Sequence, residues 1–188
     1  MNYPIITVAG LVLIATSQLL MSFGFDFLMA QRPIDYAHWA LLLGAIFMLS
    51  LWRSLPKNMT KTVGLMLMTL GVGGIIGMCT LDFILWASHG DPDVKREIFA
   101  IISNQPPIKY PFLLIGPTLF YAGICIATYG LFSRFKWQVL VINLGTPLIG
   151  LGHLVLNNQV VPVIGAILLL VGMFFVLDFG RKTDLKYV

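Results

Sequence analysis

The segment KTVGLMLMTLGVGGIIGMCTLDFILWAS, residues 61–88, decides the fold of this chain. It is apolar on every side, so a helix built from it has no face that prefers water. It is also longer than the roughly 20 residues with which a helix crosses the hydrocarbon core of a bilayer. We therefore interpret it as a transmembrane helix, and as the central helix of a membrane bundle.

Glycines lie along this segment at the spacing of a helix contact. One row lies in the segment itself, at Gly64, Gly71, Gly74 and Gly77. A second row repeats every seven residues farther along the chain, at Gly116, Gly123 and Gly130. Because small residues let transmembrane helices approach closely, we expect both rows at helix contacts. Membrane-protein partners would pack through the same kind of surface.

The composition is that of a membrane protein throughout. Hydrophobic residues make up 58% of the chain and charged residues 11%, whereas soluble domains have about 25% charged residues. The mean hydropathy is +0.89. The net charge of +4 comes from short loops and the tail, so it indicates orientation in a bilayer rather than nucleic-acid binding. Cys79 and Cys125 lie inside apolar runs, which favours buried thiols over a disulfide.

Apolar runs of this kind predict an all-α integral membrane bundle of six spans. The predicted spans cover residues 4–30, 36–55, 61–88, 110–132, 137–156 and 160–177, in one domain over 1–188. The long loop between the third and fourth spans predicts a short amphipathic helix over 94–103, capped by Asp91 or Asp93 and lying on the membrane surface.

The basic residues predict the orientation. An even number of spans places both termini on one side, and with both termini inside, eight of the 12 Lys and Arg residues face inward. Since inward-facing loops carry the excess of basic residues, we expect both termini in the cytoplasm, in a cell or inner membrane.

A weak internal repeat is a further hypothesis. Residues 77–83 resemble residues 172–179 with the spacing shifted by one, and each acid ends the third helix of its half. This would make a 3+3 inverted repeat, an arrangement common in transporters. The alternative is chance similarity, because Leu, Gly and Phe are frequent in this chain.

Ionisable and polar residues inside the spans are the candidates for a ligand-binding site. They are Gln18, Asp26, Asp82, His153 and Asn157, with His38 and His89 at the same outer rim. Intramembrane ionisable residues mark functional sites, and two carboxylates with an imidazole can share a proton, bind a metal or bind a polar or cationic ligand. The alternative is that the acids contact headgroups and water, and that Gln18 is only a helix-to-helix hydrogen-bond partner.

Asp82 is the acid least suited to face lipid, because Leu81 and Phe83 flank it on the most glycine-rich helix. We expect its carboxylate to lie within hydrogen-bond reach of a polar side chain on another span, with Asp26 or His153 as the first candidates. No metal and no cofactor are predicted, because the chain has no HxxxH, HExxH or paired-cysteine spacing.

Three functions fit these patterns. The favoured interpretation is a bundle that binds a small polar or amphipathic ligand, as a transporter or proton-coupled carrier. The second is an accessory or assembly subunit of a larger membrane complex, since the chain is small and has glycine rows. The third is a membrane-embedded enzyme acting on a lipid or isoprenoid, which is less favoured because no nucleophile–base pair is evident.

Overall fold

A computed structural model describes residues 3–88, 91–154, 156 and 158–184, and every regular element in these ranges is helical. The helices are α1 Tyr3–Met21, α2 Phe25–Ala30, α3 Tyr36–Met48, α4 Leu51–Ser54, α5 Met59–Ala87, α6 Pro92–Asn104, α7 Pro106–Ile108, α8 Gly116–Tyr129, α9 Lys136–Leu154 and α10 Val160–Asp184. A π-helical segment, Lys109–Ile115, joins α7 to α8.

Within the described ranges, five helical stretches are long and apolar enough to cross a membrane. They are Tyr3–Met21, Tyr36–Ser54, Met59–Ala87, Pro106–Tyr129 and Val160–Asp178. They correspond to five of the six predicted spans and support an all-helical integral membrane protein. The remaining span, 137–156, corresponds to α9, which is not among the five and carries the polar residues Gln138, Asn143 and His153. Its membrane crossing stays a prediction.

The first two predicted spans are not continuous helices. The span predicted over 4–30 ends at Met21, and the chain turns at Gly24, whose φ of 92° lies in the left-handed region that favours glycine. The helix then resumes as α2. The second span is interrupted between Met48 and Leu51, so α3 and α4 together make the stretch that was predicted as one helix.

Both glycine rows lie at a helix contact, as the sequence predicts, and the structure shows that they pack against each other. A Cβ atom added at Gly71 would collide with the backbone of Phe120, and one added at Gly74 would collide with the backbone of Gly116. Farther down the same contact, the second row's Gly123 lies against the backbone of Met68. The helices α5 and α8 therefore form an antiparallel pair whose backbones nearly touch.

The same close approach joins two other pairs of successive helices. A Cβ atom at Gly10 in α1 would lie 2.9 Å from the carbonyl oxygen of Gly44 in α3. One at Gly145 in α9 would lie 2.6 Å from the carbonyl oxygen of Gly165 in α10. Three close antiparallel pairs thus follow one another along the chain.

These pairs close into a ring. Helix α3 contacts α5, α8 contacts α9, and α10 contacts α1, so six long helices surround a central space in chain order. We call the end opposite the start of α1 the distal end; it holds α2 and α6. A 3+3 repeat would divide the ring between α5 and α8, which is one of its closest pairs. The repeat stays a prediction.

The distal helix α6 covers the predicted range 94–103. The carboxylate of Asp91 caps it by accepting hydrogen bonds from the backbone N–H groups of Asp93 and Val94. Its Lys95 ammonium lies 4.3 Å from the centre of the Phe25 ring in α2. The side chain of Phe99 is exposed, which suits the predicted position on a membrane surface.

Candidate functional site

A cavity of about 520 Å³ lies inside the distal half of the ring. Side chains of α1, α3, α5, α8, α9 and the π-helical segment line it. Most of its wall is apolar, with Leu41, Ile75, Leu113 and Ile149 among the lining residues. The polar lining residues are Gln18, His38, Asp82, Thr118, Tyr121, Cys125, Thr146 and His153.

Three of the five predicted ligand-binding residues line this cavity. They are Gln18, Asp82 and His153, which come from three different helices. Asp26 does not line it, because it lies exposed in the first turn of α2, beyond the turn at Gly24. Asn157 lies outside the described residues, as does His89.

Gln18 and His153 bind each other across the ring. The distance from His153 Nε2 to Gln18 Oε1 is 2.7 Å, which is the length of a good hydrogen bond. Gln18 is buried, with 3% of its surface exposed. This bond joins α1 to α9. These two helices are not neighbours in the ring, because α10 packs against both of them. Gln18 therefore makes a helix-to-helix hydrogen bond and also lines the cavity.

Asp82 has a partner on another helix, and that partner is His38. The Nε2 atom of His38 lies 3.3 Å from Asp82 Oδ2, in the range of an ion pair. The other nitrogen of the same imidazole, His38 Nδ1, lies 2.6 Å from Asp35 Oδ2. One imidazole thus lies between two carboxylates, and we call Asp35, His38 and Asp82 the polar trio.

The start of α3 explains the position of His38. Asp35 is the N-cap of α3, and its Oδ1 atom accepts a hydrogen bond from the backbone N–H of His38 at 3.1 Å. Because residues three apart lie on one side of a helix, the second oxygen of the same carboxylate reaches the imidazole. Next to this pair, the Trp39 and Phe83 rings stack at 5.1 Å between centres, which holds α3 against α5.

The polar trio differs from the expectation drawn from sequence. The sequence predicts that Asp82 reaches a polar side chain on another span, and it does, but that side chain is His38 rather than Asp26 or His153. From the sequence, His38 is placed only at the rim, and Asp35 is not among the candidate residues. The available signal was the Asp-x-x-His spacing at a helix start, which places both side chains in the first turn.

Exposed residues lie along the α8 and α9 side of the cavity. Several of its lining residues are exposed, among them Leu114, Thr118 and Ile126 of the α8 side and Pro147 and His153 of α9. Deeper in the bundle the two helices meet, where Cys125 Sγ lies 2.6 Å from Thr146 Oγ1. From the exposed lining residues we infer a side opening of the cavity between α8 and α9.

Irregular backbone on both sides accompanies the opening. The π-helical segment Lys109–Ile115 and Pro117 lie on the α8 side, and Pro147 lies inside α9. A proline has no N–H for the carbonyl four residues earlier, and π-helical turns widen a helix locally. Both features are frequent at functional sites and points of bending.

The cavity suits a molecule with a polar head and an apolar body. Its polar groups are one partly exposed carboxylate, two imidazoles, the Gln18 amide, a tyrosine hydroxyl, the Cys125 thiol and threonine hydroxyls. No Lys or Arg is among the described residues that line it. Among the described residues there is also no group of three or more His, Cys, Asp or Glu side chains placed to hold a metal ion.

The chain was compared with protein-family models, with curated proteins and with solved structures, and none of the three comparisons gives a match.

Proposed function

We propose that this protein is a membrane carrier that binds a small amphipathic molecule in the cavity. The main support is that an apolar cavity, a polar cluster and a side opening occur together at one site. The mostly apolar cavity is lined by His38 and Asp82 of the polar trio, and its exposed lining residues lie on the side of α8 and α9, where we place its opening. A side opening is what a ligand dissolved in the bilayer would need in order to enter.

The proposal includes six membrane spans. Helix α9 packs between α8 and α10 in the ring, so it would cross the bilayer together with its neighbours. With both termini in the cytoplasm, as the basic residues favour, the distal end faces outward. The cavity then lies in the outer leaflet of a cell or inner membrane.

The volume and lining support a ligand of modest size. Small-molecule sites have volumes of roughly 300–1,000 Å³ and mostly apolar walls with a few placed polar groups. The cavity of about 520 Å³ falls within this range. In this proposal the apolar wall contacts the body of the ligand. Its polar head contacts Asp82, His38 and the Gln18–His153 pair.

Carrier activity, with proton coupling, is supported by the polar trio. Chains of Asp, Glu and His inside membranes take up and release protons in pumps and transporters. His38 contacts two carboxylates, of which Asp35 is buried and Asp82 is partly open to the cavity. A proton on the trio can therefore respond to a ligand head beside Asp82.

Photolabelling tests the binding site. A long-chain alcohol bearing a diazirine, incubated with the protein in nanodiscs, is expected to label residues of α8 and α9 at the side opening. Gly150→Leu should reduce this labelling, because Gly150 lines the cavity and has open space where a side chain would extend. Gly73→Leu is the matched control, since Gly73 also has open space but does not line the cavity.

Equal labelling of both variants would contradict the proposal. So would labelling spread evenly over all lipid-facing helices, because it would show partition into the bilayer rather than a site. Stoichiometric copurification of other membrane proteins, with no cavity labelling, would favour the accessory-subunit alternative.

An enzyme acting on a lipid or isoprenoid is the second candidate, and the Asp35–His38 pair favours it. A carboxylate that orients an imidazole is a recurrent part of acid–base sites. The mass of the recovered ligand distinguishes the two functions. An unchanged mass after prolonged incubation supports a carrier, and a changed mass supports an enzyme.

A further inference from the structure

We infer that the cavity selects an organic monocation, namely an alkylammonium amphiphile. This inference rests on the proposed function, because it names the class of ligand for the same site. Four observations carry it: the charge of the polar trio, the cations near the cavity, the accessibility of Asp82 and the side opening.

The polar trio carries one net negative charge. The hydrogen bond between His38 Nδ1 and Asp35 uses one proton, and we assign a second proton to the ion pair between His38 Nε2 and Asp82, whose atoms lie 3.3 Å apart. Two carboxylates and one imidazole with these two protons have a net charge of −1, whichever atom holds each proton. The cavity therefore has one formal charge that the trio itself does not neutralise.

Of the cations described at this end of the bundle, Arg32, Lys95 and Arg96 contact other groups, Arg96 at 3.4 Å from Asp93 Oδ1. Lys109 is exposed and does not line the cavity. The guanidinium of Arg32 lies 4.7 Å from the centre of the Trp86 ring and donates hydrogen bonds to backbone carbonyls. The ammonium of Lys95 lies over the ring of Phe25. Neither residue lines the cavity. Since an unbalanced charge away from water is costly, a cationic ligand head would be stabilised here.

Of the two carboxylates in the polar trio, Asp82 is the one that a ligand head in the cavity can contact. The side chain of Asp82 is 29% exposed, whereas that of Asp35 is 0% exposed. The aromatic ring of Tyr121 lines the same cavity and can stabilise a cation that enters it. An anionic head would meet the carboxylate with no Lys or Arg to balance it.

The side opening indicates that the part of the ligand attached to the ammonium head is an apolar chain. Between the polar trio and the lateral surface, the wall is formed by apolar residues such as Leu114, Ile126 and Ile149. An alkyl chain attached to the ammonium would follow this wall toward the bilayer. The ligand class is therefore a cationic head with one apolar chain, rather than a small hydrophilic cation from water.

A series of three probes with the same chain tests the inference. Octyltrimethylammonium, octyl sulfate and octanol are titrated into the full-length protein in phosphatidylcholine nanodiscs, and binding is measured by calorimetry. Heats from nanodiscs without protein are subtracted to remove partition into lipid. We expect the ammonium probe to bind at least about tenfold more tightly than either other probe, a difference of about 1.4 kcal/mol.

Two matched variants test the role of Asp82. Asp82→Asn should remove the preference for the ammonium probe and leave octanol binding in place. Asp26→Asn should leave the preference unchanged, because Asp26 is exposed on α2 outside the cavity. If Asp82→Asn does not fold, Thr118→Lys replaces it. Thr118 is exposed at the side opening, and a lysine there should shift the preference toward octyl sulfate.

The outcomes separate this inference from the proposed function. Equal binding of the three probes in the native protein, lost in Gly150→Leu, would overturn the cation preference and leave an amphiphile site. Preference for octyl sulfate, or an unchanged preference in a folded Asp82→Asn protein, would also overturn it. Absence of saturable binding for all three probes would remove the proposed function as well.

Discussion

Asp35 is the residue on which the polar trio depends. One oxygen of its carboxylate caps the first turn of α3, and the other binds the imidazole of His38. Its side chain is fully buried, so water cannot replace either contact if it is removed. A residue that looks like a simple turn former in the sequence therefore positions the side chain that contacts Asp82.

We predict that Asp35→Ala destabilises the protein. Loss of the cap costs about 1 kcal/mol, and loss of a hydrogen bond with a charged partner about 1.5–3 kcal/mol. The free energy of unfolding in mild detergent should thus fall by about 2–4 kcal/mol. Asp91→Ala is the control, because Asp91 also caps a helix but is exposed. A loss no larger than the control's would contradict the structural role of Asp35.

The helix pairs depend on what a glycine lacks. In α5, two neighbouring glycines differ completely in their surroundings. Gly74 lies against the backbone of Gly116, whereas a side chain at Gly73 would meet no atom within 4 Å. The sequence shows the two as adjacent identical residues, and only the direction in which each faces distinguishes them.

We predict opposite results for the same substitution at these two positions. Gly74→Leu should prevent the α5–α8 contact and reduce the yield of monodisperse protein in size-exclusion chromatography, because a leucine side chain forces the backbones apart. Gly73→Leu should elute and melt like the unsubstituted protein. Normal elution of Gly74→Leu would show that the close contact of these helices is not needed for folding.

The arrangement of all the helices creates the cavity and determines where it lies in the membrane. Three close pairs of successive helices enclose a space that none of the pairs contains alone. The polar side chains at the distal end of this space come from α1, α3, α5, α8 and α9. Which leaflet the cavity occupies depends on the orientation of the entire bundle.

We predict that the distal end faces outward. Cysteines introduced at the exposed positions Asp91 and Asn158 should react with a membrane-impermeant maleimide added to intact cells. Cysteines at Met59 and Ser133, which are exposed near the other end of the bundle, should react only after permeabilisation. The native protein, with Cys79 and Cys125 alone, gives the background. The reverse pattern would place the cavity in the cytoplasmic leaflet and contradict the orientation.

The sequence by itself determined the helical membrane fold and much of its packing. Length and uniform apolarity are enough to identify spans, because an unpaired backbone in lipid is costly and a helix satisfies it locally. The glycine rows predicted that α5 and α8 each make a close helix contact, since the spacing of a row is a property of one helix, but the sequence did not show that the two rows meet. Gln18, Asp82 and His153 could be selected because polar residues are rare in such segments.

The tertiary structure alone decided how these residues combine. The break at Gly24 moves Asp26 away from the cavity, and the first turn of α3 brings His38 to Asp82 instead. The side opening likewise depends on how far α8 and α9 separate above Cys125 and Thr146. Such contacts join residues far apart in the chain, and the spacing of residues within one helix carries no information about the rotation of that helix against its neighbours. Only the packed ring fixes that rotation, because the close pairs leave each helix few positions in which its small residues meet a partner.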